Sequence, residues 1–255
     1  MSILGIIPAR LAATRFPNKP MESILGIPMI GHCYLRSKHC TEIDDLYVAT
    51  CDNEIVDYVT LINGKAIMTS NLHERATERT AEAMIELEKK LKKKYDVIVM
   101  IQGDEPLVYP EMISQVIQPI LSDDCQISNL MIKLKSIEDI NNANNVKVVI
   151  NKNGDALYMS REPIPSAHKY NKRIDYYRQL GLIAFQRDAL LNFISLEPTK
   201  LEIIESVDMN RLLENGLKIR MVETEYEVDA VDNPIDLIRV EDKMKTDPLF
   251  KKYKL

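Results

Sequence analysis

Three cationic side chains follow the first apolar segment of the sequence. Arg10, Arg15 and Lys19 come after the apolar run Ile3–Ile7, which stops at Pro8. Positive charges gathered at the end of one strand repel one another unless an anion neutralises them. The pattern therefore indicates a polyphosphate site, and the alternative is an edge strand that is followed by a solvated basic loop.

A carboxylate follows a second apolar run, Val97–Ile101. Asp104 is the third residue after the run and lies between Gly103 and Pro106, in a sequence that favours a tight turn. Mg²⁺ is usually bound through one or two carboxylates together with the phosphates of a substrate. Asp104 is therefore a candidate metal ligand, and the alternative is a helix-capping aspartate in an ordinary turn.

Strand and helix patterns alternate over the first hundred residues. Strands are predicted at Ile3–Ile7, Asp45–Ala49, Ala66–Met68 and Val97–Ile101. Helices are predicted at Met29–Lys38, Asn53–Ile62 and Ala76–Lys94. This alternation predicts an α/β fold with a doubly wound, mostly parallel sheet. Ligands of such sheets bind outside the carboxyl ends of the strands, which is where Arg10 and Asp104 are expected.

The pattern changes from about Cys125 onward. Strands are predicted at Gln126–Leu134, Val146–Ile150, Ala156–Ser160 and Tyr177–Phe185, with fewer helices between them. Closing elements are predicted at Leu201–Asn215 (helix), Lys218–Val222 (strand) and Asn233–Lys245 (helix). We expect a single domain over residues 1–255, in which roughly residues 125–200 form a smaller, mixed α+β subregion.

Composition narrows the class of protein. The chain has 255 residues, of which 45% are apolar, and a net charge of −5, which does not suggest a nucleic acid or an anionic membrane as partner. The opening segment is too short for a signal-peptide core, and no apolar run has the length of a membrane helix. The four cysteines show no CxxC spacing, so reduced thiols and a cytoplasmic location are expected.

The segment Ile7–Pro20, "IPAR…TRFPNKP", resembles the nucleotide-binding signature of the CMP-sugar synthetases, most closely the 3-deoxy-manno-octulosonate (KDO) cytidylyltransferases. The similarity extends from Ile3 to about Val240. Its other strong blocks are Gly26–His32, Met100–Pro106, Val146–Pro165 and Val231–Leu237.

This resemblance implies a nucleotide-diphospho-sugar transferase-like fold and a homodimer. It also implies a reaction that couples CTP to a KDO-like 2-keto-3-deoxy sugar acid, giving a CMP-sugar and pyrophosphate for glycans of the lipopolysaccharide type. The subregion after Cys125 is the expected sugar and dimer side.

The resemblance also implies roles for single residues. Arg10, Lys19 and Asp104 would be catalytic, with the two cations on the triphosphate and Arg15 on its outer phosphates. The expected nucleotide-binding residues are Pro8, Ala9, Arg10, Arg15, Lys19, Thr77, Arg79 and Gln102.

Mg²⁺ would be held by Asp104 and by Asp232, the first aspartate of "VDNPIDL", which is similar to "VDTPEDL" in the family. Asp232 also stands where a helix N-cap is expected, and Asp229 is the alternative second ligand.

The chain departs from the family pattern near the nucleotide. "HERATER" stands where the family shows H-x-S-G-T-[DE]-R, so Arg75 and Ala76 replace serine and glycine at the segment that meets the base. Asn18 replaces a loop glycine, and asparagine tolerates the left-handed backbone that glycine adopts. Cys51 replaces an aspartate, either as a reactive thiol or as an inert buried one.

The acceptor side departs further. The residues expected to bind the sugar are Lys147, Tyr158, Arg161, Gln179, Glu202, Glu205 and Asp208. Arg161 suits a bidentate contact with the sugar carboxylate. Gln179, however, replaces a histidine, and Asp208 replaces a glutamate. These changes predict a changed acceptor, such as an amino-substituted KDO or another 2-keto-3-deoxy acid.

Two other functions fit parts of the sequence. A sugar-1-phosphate nucleotidyltransferase of similar fold would carry a more glycine-rich first loop, and this chain has only eight glycines. A nucleotide- or sugar-binding protein without catalysis would explain "HERATER", but it has little need for the pair Asp104 and Asp232. A dinucleotide-dependent oxidoreductase is disfavoured because no G-x-G-x-x-G follows the first strand.

Overall fold

A computed structural model describes residues 1–12, 16–169, 172–227 and 229–254. The strands are β1 (Ile3–Pro8), β2 (Ser23–Ile24), β3 (Ile27–Pro28), β4 (Asp45–Thr50), β5 (Ala66–Met68), β6 (Val97–Met100), β7 (Ile127–Lys133), β8 (Lys147–Ile150), β9 (Ala156–Ser160), β10 (Tyr177–Gln186) and β11 (Arg220–Glu223). The helices are α1 (Met29–Ser37), α2 (Asn53–Leu61), α3 (Ala76–Leu91), α4 (Pro110–Leu121), α5 (Ile137–Asn141), α6 (Arg187–Ser195), α7 (Lys200–Glu205), α8 (Met209–Glu214), α9 (Pro234–Thr246) and α10 (Phe250–Tyr253).

The chain forms two compact units. Unit 1 comprises Met1–Ser114 and Glu227–Leu255, and unit 2 comprises Gln115–Tyr226. The mixed subregion predicted at residues 125–200 lies inside unit 2, whereas the prediction that residues 1–255 act as one domain stays a prediction. None of the helices in the described ranges combines the length and the apolar composition that crossing a bilayer requires.

Unit 1 contains a parallel sheet with the strand order β6, β1, β4, β5. All six residues of β1 are buried, as expected for a parallel strand that is covered on both faces. Its neighbours run in the same direction, and Ile6 pairs with Met100 of β6 and with Tyr47 of β4. The loops after β1 and β6 therefore leave the sheet at the same edge, as the sequence predicted for Arg10 and Asp104.

Gly103 allows these two loops to approach each other. A Cβ atom at this position would lie 2.8 Å from the carbonyl oxygen of Pro8 and 3.3 Å from Cδ1 of Ile30. Any side chain would push the loops apart, so glycine is required here.

An apolar cluster ties the C-terminal segment of unit 1 to the same edge. Val231 packs in a buried core with residues of α1, α9 and the adjoining loops: Ile24, Met29, Leu107, Val240 and Met244. The N–H of Val231 donates to the carbonyl oxygen of Asp104 at 3.0 Å. Burial of this cluster therefore fixes the residues around Asp232 beside the turn that carries Asp104.

Buried polar contacts hold the other side of that turn. Arg36 of α1 is fully buried, donates to the carbonyl oxygen of Val108 at 2.7 Å and pairs with Asp247. His32 bonds the hydroxyl of Tyr253 and the carbonyl of Ile24, both at 2.8 Å. Burial lowers the pKa of His32 to about 4, so it is a neutral packing residue.

Unit 2 has the mixed character that the sequence predicted. Strand β7 is parallel to β11 and antiparallel to β10, while β8 is antiparallel to both β10 and β9. The predicted single helix Leu201–Asn215 is wrong, because α7 ends at Glu205 and α8 begins at Met209. Ser206, which follows α7, adopts a left-handed conformation with φ 53°. Arg161 binds the carbonyl oxygens of Glu205 and Ser206, which diverts them from a continuous helical ladder.

Candidate active site

A cleft of about 270 Å³ opens in unit 1 at the edge where β1 and β6 end. It lies outside the carboxyl ends of parallel strands, the usual ligand position in such sheets. Its lining residues are Pro8, Ala9, Arg10, Lys19, Pro20, His73, Glu74, Arg75, Ala76, Arg79, Gln102, Gly103 and Asp104. Seven of these were predicted as nucleotide or metal contacts (Pro8, Ala9, Arg10, Lys19, Arg79, Gln102 and Asp104), so the structure brings together residues that lie far apart in the sequence.

Lys19 and Asp104 form an ion pair in this cleft. Nζ of Lys19 donates to Oδ2 of Asp104 at 2.6 Å and to the carbonyl oxygen of Val231 at 2.8 Å. Lys19 follows Asn18, whose φ of 59° is the left-handed conformation anticipated from its replacement of a glycine. The Asp104 side chain is 32% exposed, so its carboxylate remains accessible from the cleft.

Arg10 extends from the end of β1 across the cleft mouth. Its Nη1 atom donates to the carbonyl oxygen of His73 at 3.3 Å, and the side chain is otherwise exposed. The next residue, Leu11, donates its N–H to Oδ2 of Asp52 at 2.8 Å. Asp52 thus fixes the backbone from which Arg10 projects, while the Cys51 thiol lies 3.7 Å from the same carboxylate oxygen.

The N-terminus of α3 supplies part of the cleft wall. Arg75 is the N-cap residue, no side chain caps the helix there, and Ala76 is the first helical residue. Backbone N–H groups at the start of a helix, together with the helix dipole, favour an anion. The "HERATER" sequence therefore retains an anion-binding geometry although serine and glycine are replaced.

Arg79 points from the first turns of α3 toward the same wall. It is 3% exposed, and its Nη1 atom donates to Oγ1 of Thr69 at 2.5 Å and to the carbonyl oxygen of Ser70 at 3.1 Å. Its Nη2 atom is buried and has no hydrogen-bond partner among the residues that the structure describes. A buried unsatisfied donor is costly, so this atom is suited to a ligand acceptor.

Two predicted nucleotide contacts are not brought to the cleft by the described structure. Thr77 is fully buried, and its hydroxyl lies 3.8 Å from the sulfur of Met100 and does not line the cleft. Arg15 lies outside the described residues.

The two candidate second metal ligands differ in their surroundings. Asp229 faces Lys243 at 2.5 Å and Arg239 at 3.5 Å. Asp232 directly follows Val231, the residue whose N–H binds the carbonyl of Asp104. The N-cap of α9 is Asn233, which forms a capping box with Asp236, so the expectation that Asp232 caps this helix is wrong by one residue.

A tightly bonded cluster in unit 2 contains most of the predicted acceptor residues. Glu205 accepts from the hydroxyl of Tyr158 at 2.8 Å, from Ser160 at 2.9 Å and from the N–H of Arg161 at 2.8 Å. Burial alone would raise the pKa of Glu205, but these hydrogen bonds outweigh it and lower the pKa. Burial and the neighbouring carboxylate raise the pKa of Tyr158 to about 12.

Lys147 and Arg161 bind carbonyl groups within this cluster. The Lys147 ammonium is fully buried and donates to the carbonyls of Asn142 at 3.0 Å, Asn145 at 2.7 Å and Arg161. Arg161 donates to the carbonyls of Ala143 at 2.9 Å and of Glu205 at 2.6 Å. Both cations therefore shape the surrounding loops, and burial lowers the pKa of Lys147.

Glu202 has a structural contact set. It is 1% exposed and forms a bidentate ion pair with Arg211, with both N···O distances at 2.7 Å. It also completes the capping box with Thr199 at the start of α7. Gln179 on β10 and Asp208 before α8 are half-buried.

Two cleft residues, Pro20 and Gly103, were not predicted as contacts from the sequence, whereas His73, Glu74, Arg75 and Ala76 were predicted only as part of the segment that meets the base, without roles of their own. A signal for the position of this segment existed, because the helix predicted to begin at Ala76 places its N-terminus near a basic loop. Asp52 had no such signal, since it acts through a backbone N–H.

Comparison with known proteins places these features in one family. Residues 4–219 match the family model described as "Cytidylyltransferase". The 3-deoxy-manno-octulosonate cytidylyltransferase of Geobacter metallireducens is 40% identical, covering 96% of this chain and 98% of the relative. The protein of the same name from Fusobacterium nucleatum is 41% identical over 94% of this chain and 96% of the relative.

The solved structure of a CMP:2-keto-3-deoxy-manno-octonic acid synthetase complexed with CTP matches with a TM-score of 0.87 and 34% identity, over 96% of this chain and 99% of that one. The shared fold, the matched length and the identity agree with the resemblance carried by the "IPAR…TRFPNKP" segment. The chain belongs to the cytidylyltransferase family, and within it to the 3-deoxy-manno-octulosonate cytidylyltransferases.

Proposed function

We propose that this enzyme transfers the CMP group of CTP to a KDO-like sugar acid and releases pyrophosphate. The observation that carries the proposal is the cleft at the ends of β1 and β6, where Lys19 pairs with Asp104 at 2.6 Å beside the N-terminus of α3. Arg10, Lys19 and Arg79 line this cleft together with the start of α3. That combination suits a nucleoside triphosphate.

The donor set around Asp104 fits Mg²⁺. In the described residues, the Asp104 carboxylate bonds Lys19 through Oδ2 only, and its backbone oxygen holds the residue before Asp232. We assign Asp104 and Asp232 as the ligands, since hard carboxylate oxygens are what Mg²⁺ prefers and Val231, the residue before Asp232, is hydrogen-bonded to the backbone of Asp104. The ion would neutralise phosphate charge when it is bound.

The protein side chains would act by electrostatic stabilisation. Arg10 and Lys19 would hold the triphosphate and offset the negative charge that grows on the departing pyrophosphate. The acceptor hydroxyl loses its proton and forms a bond to the α-phosphorus, while the bond from that phosphorus to pyrophosphate breaks. No protein nucleophile is required for this displacement.

The acceptor is proposed to bind unit 2 near Tyr158, Arg161 and Gln179. Two of the other residues predicted to bind the sugar act indirectly in our proposal. The Lys147 ammonium already donates to three carbonyls, and Glu202 is already paired with Arg211. Gln179 and Asp208, which differ from the family pattern, would then select the acceptor. A KDO that carries an amino substituent fits these changes.

We also propose a homodimer formed through unit 2. Large apolar side chains are exposed there, with Leu157 on β9 at 60% and Ile204 on α7 at 64% exposure. Exposed apolar side chains of this size often mark an interface. Light scattering should give twice the chain mass, and the charged variant L157K should give a monomer.

Pyrophosphate release tests the proposed function directly. Each nucleoside triphosphate is supplied with Mg²⁺ against a panel of acidic sugars that contains KDO, amino-substituted KDO and other 2-keto-3-deoxy acids. Release that requires CTP and one of these acids supports the proposal. Release with a sugar 1-phosphate, or no release although CTP binds, would contradict it.

A further inference from the structure

The segment 69–75 connects β5 to α3 and ends in the cleft wall. His73, Glu74 and Arg75 of this segment line the cleft. The start of the segment is fixed to the sheet, because the N–H of Thr69 donates to the carbonyl oxygen of Thr50 at the end of β4 at 2.8 Å. The remainder has no regular secondary structure before α3 begins.

Two side chains of α3 hold Ser70, the second residue of this segment, by its main chain. Arg79 donates to the carbonyl oxygen of Ser70 at 3.1 Å, and Glu82 accepts the N–H of Ser70 through Oε2 at 2.8 Å. The two helix residues are three positions apart and therefore lie on the same face. Both polar groups of one backbone unit are thus engaged by a single helix.

Glu82 makes a second contact that leads toward the ligand. The same Oε2 atom bonds Nε2 of His73, and both side chains are partly exposed. The carbonyl oxygen of His73 in turn accepts from Nη1 of Arg10 at 3.3 Å. A chain of contacts therefore links a carboxylate on α3, outside the cleft lining, to the exposed cation at the cleft mouth.

We propose that Glu82 is a positioning residue for the nucleotide. It holds the segment 69–75 in the conformation in which His73 orients Arg10 and the start of α3 faces the triphosphate. This inference rests on the proposed function of the cleft. Without Glu82 the segment would have to be ordered at the moment of binding, so the loss falls on the affinity for CTP.

Three variants of the full chain test this role by calorimetric binding of CTP with Mg²⁺ in the absence of acceptor. E82A should weaken CTP binding about tenfold, the size expected when hydrogen bonds that involve a charged group are lost. E82Q should recover most of the affinity, because an amide oxygen still accepts the N–H of Ser70. E86A is the matched control, since Glu86 lies on the same helix and, within the described part of the chain, pairs only with the exposed Lys89 at 2.7 Å.

Steady-state kinetics separate positioning from general damage. In E82A the KM for CTP should rise while kcat and the KM for the acceptor stay within about twofold, and the thermal midpoint should stay near that of E86A. Unchanged CTP affinity would overturn the proposal. Parallel losses of CTP affinity, acceptor affinity and thermal midpoint, without rescue by E82Q, would overturn it as well.

If E82A does not fold, E82D is used for the test instead. This variant keeps the negative charge but shortens the side chain by one methylene group, so the carboxylate lies farther from Ser70 and His73. It should show an intermediate loss of CTP affinity, and wild-type affinity would overturn the proposal. A wild-type chain that binds no CTP would overturn the proposed function too. Equal binding of CTP by the wild type and E82A would overturn only the role of Glu82.

Discussion

The nucleotide cleft of unit 1 and the acceptor cluster of unit 2 use similar residue types differently. In the cleft, Arg10 has one long bond, Arg79 keeps an unsatisfied buried Nη2 atom, and Asp104 is 32% exposed. In the acceptor cluster, Lys147 donates to three carbonyls and Glu202 is paired at both oxygens. Polar groups of the cleft are thus still available to a ligand, whereas those of the acceptor cluster are largely hydrogen-bonded to other groups of the protein.

This difference teaches that a motif match does not by itself mark a ligand contact. A buried charge must be paired or hydrogen-bonded to be stable. Lys147 and Glu202 meet that requirement through protein groups, so selection for the fold alone can retain them. Arg10 is exposed and Asp104 is only half-buried, so burial does not explain them, which makes a ligand the better explanation of their presence.

The largest effect is expected from D104N. Loss of the carboxylate charge removes one proposed metal ligand and should lower kcat by about a hundredfold to a thousandfold, the scale of one electrostatic contact in a transition state. CTP binding should persist within a few-fold, because Arg10, Lys19 and the start of α3 remain. Turnover is measured by pyrophosphate release and binding by calorimetry.

D57N serves as the control for this variant, since Asp57 is an exposed residue of α2. Near-wild-type turnover in D104N would remove Asp104 from the catalytic machinery. The cleft carboxylate would then have a structural role, as Glu202 has in the acceptor cluster, and the two regions would no longer differ in this respect.

E202Q should affect stability and leave the chemistry intact. Breaking a buried ion pair at one partner costs about 3 kcal/mol of unfolding free energy, because Arg211 stays buried without its counter-charge. Glutamine still fits the capping box at Thr199, so the helix start is retained. Denaturant unfolding measures the loss, and the KM for the acceptor should stay unchanged for the folded fraction.

The double variant E202M/R211M is the informative companion, since replacing both partners removes the unpaired charge and should restore most of the stability. A raised acceptor KM in E202Q at unchanged stability would instead make Glu202 a ligand contact. In that case the acceptor cluster would resemble the cleft more closely than its hydrogen bonds indicate.

Q179H should move the acceptor preference. Gln179 is half-buried on β10, and histidine is the residue that the family pattern shows at this position. Exchanging one polar contact shifts discrimination by about tenfold in kcat/KM. We expect the ratio of kcat/KM for KDO over amino-substituted KDO to rise. Q118H, an exposed change on α4, is the control, and an unmoved ratio would exclude Gln179 as a selector.

The fold was largely predictable because its periodic signals are local. Ala66–Met68 and Ala156–Ser160 were predicted with their observed bounds, and β1 and β6 within one residue at an end. The break in the predicted helix Leu201–Asn215 was not predictable, since its cause is a distant side chain, Arg161.

Of the site, the sequence predicted the charged groups and missed the backbone. Arg10, Lys19 and Asp104 were found because charges at the ends of buried strands are visible in a sequence. The wall formed by His73, Glu74 and Arg75 was predicted only as a segment near the base, because main-chain geometry and the start of a helix, rather than residue type, contribute there. The saturated hydrogen bonding of the Lys147 ammonium was equally hidden, since its three carbonyl partners come from loops whose path no local pattern determines.

The smallest effect concerns pH and the acceptor cluster. Hydrogen bonds from Arg161, Tyr158 and Ser160 lower the folded-state pKa of Glu205, so folding favours its charged form. The stabilisation from Glu205 is therefore fully present above the unfolded pKa of about 4.3 and is lost as the pH falls through the depressed folded value.

Urea unfolding of the wild type and E205Q from pH 7 to pH 3 should show a stability gap that narrows below about pH 4. E197Q, an exposed change in the same unit, should show no such gap. A gap between wild type and E205Q that is independent of pH would mean that the cluster depends on the shape of residue 205 rather than its charge. The acceptor cluster would then be a packing feature, and its contrast with the electrostatic cleft would be sharper still.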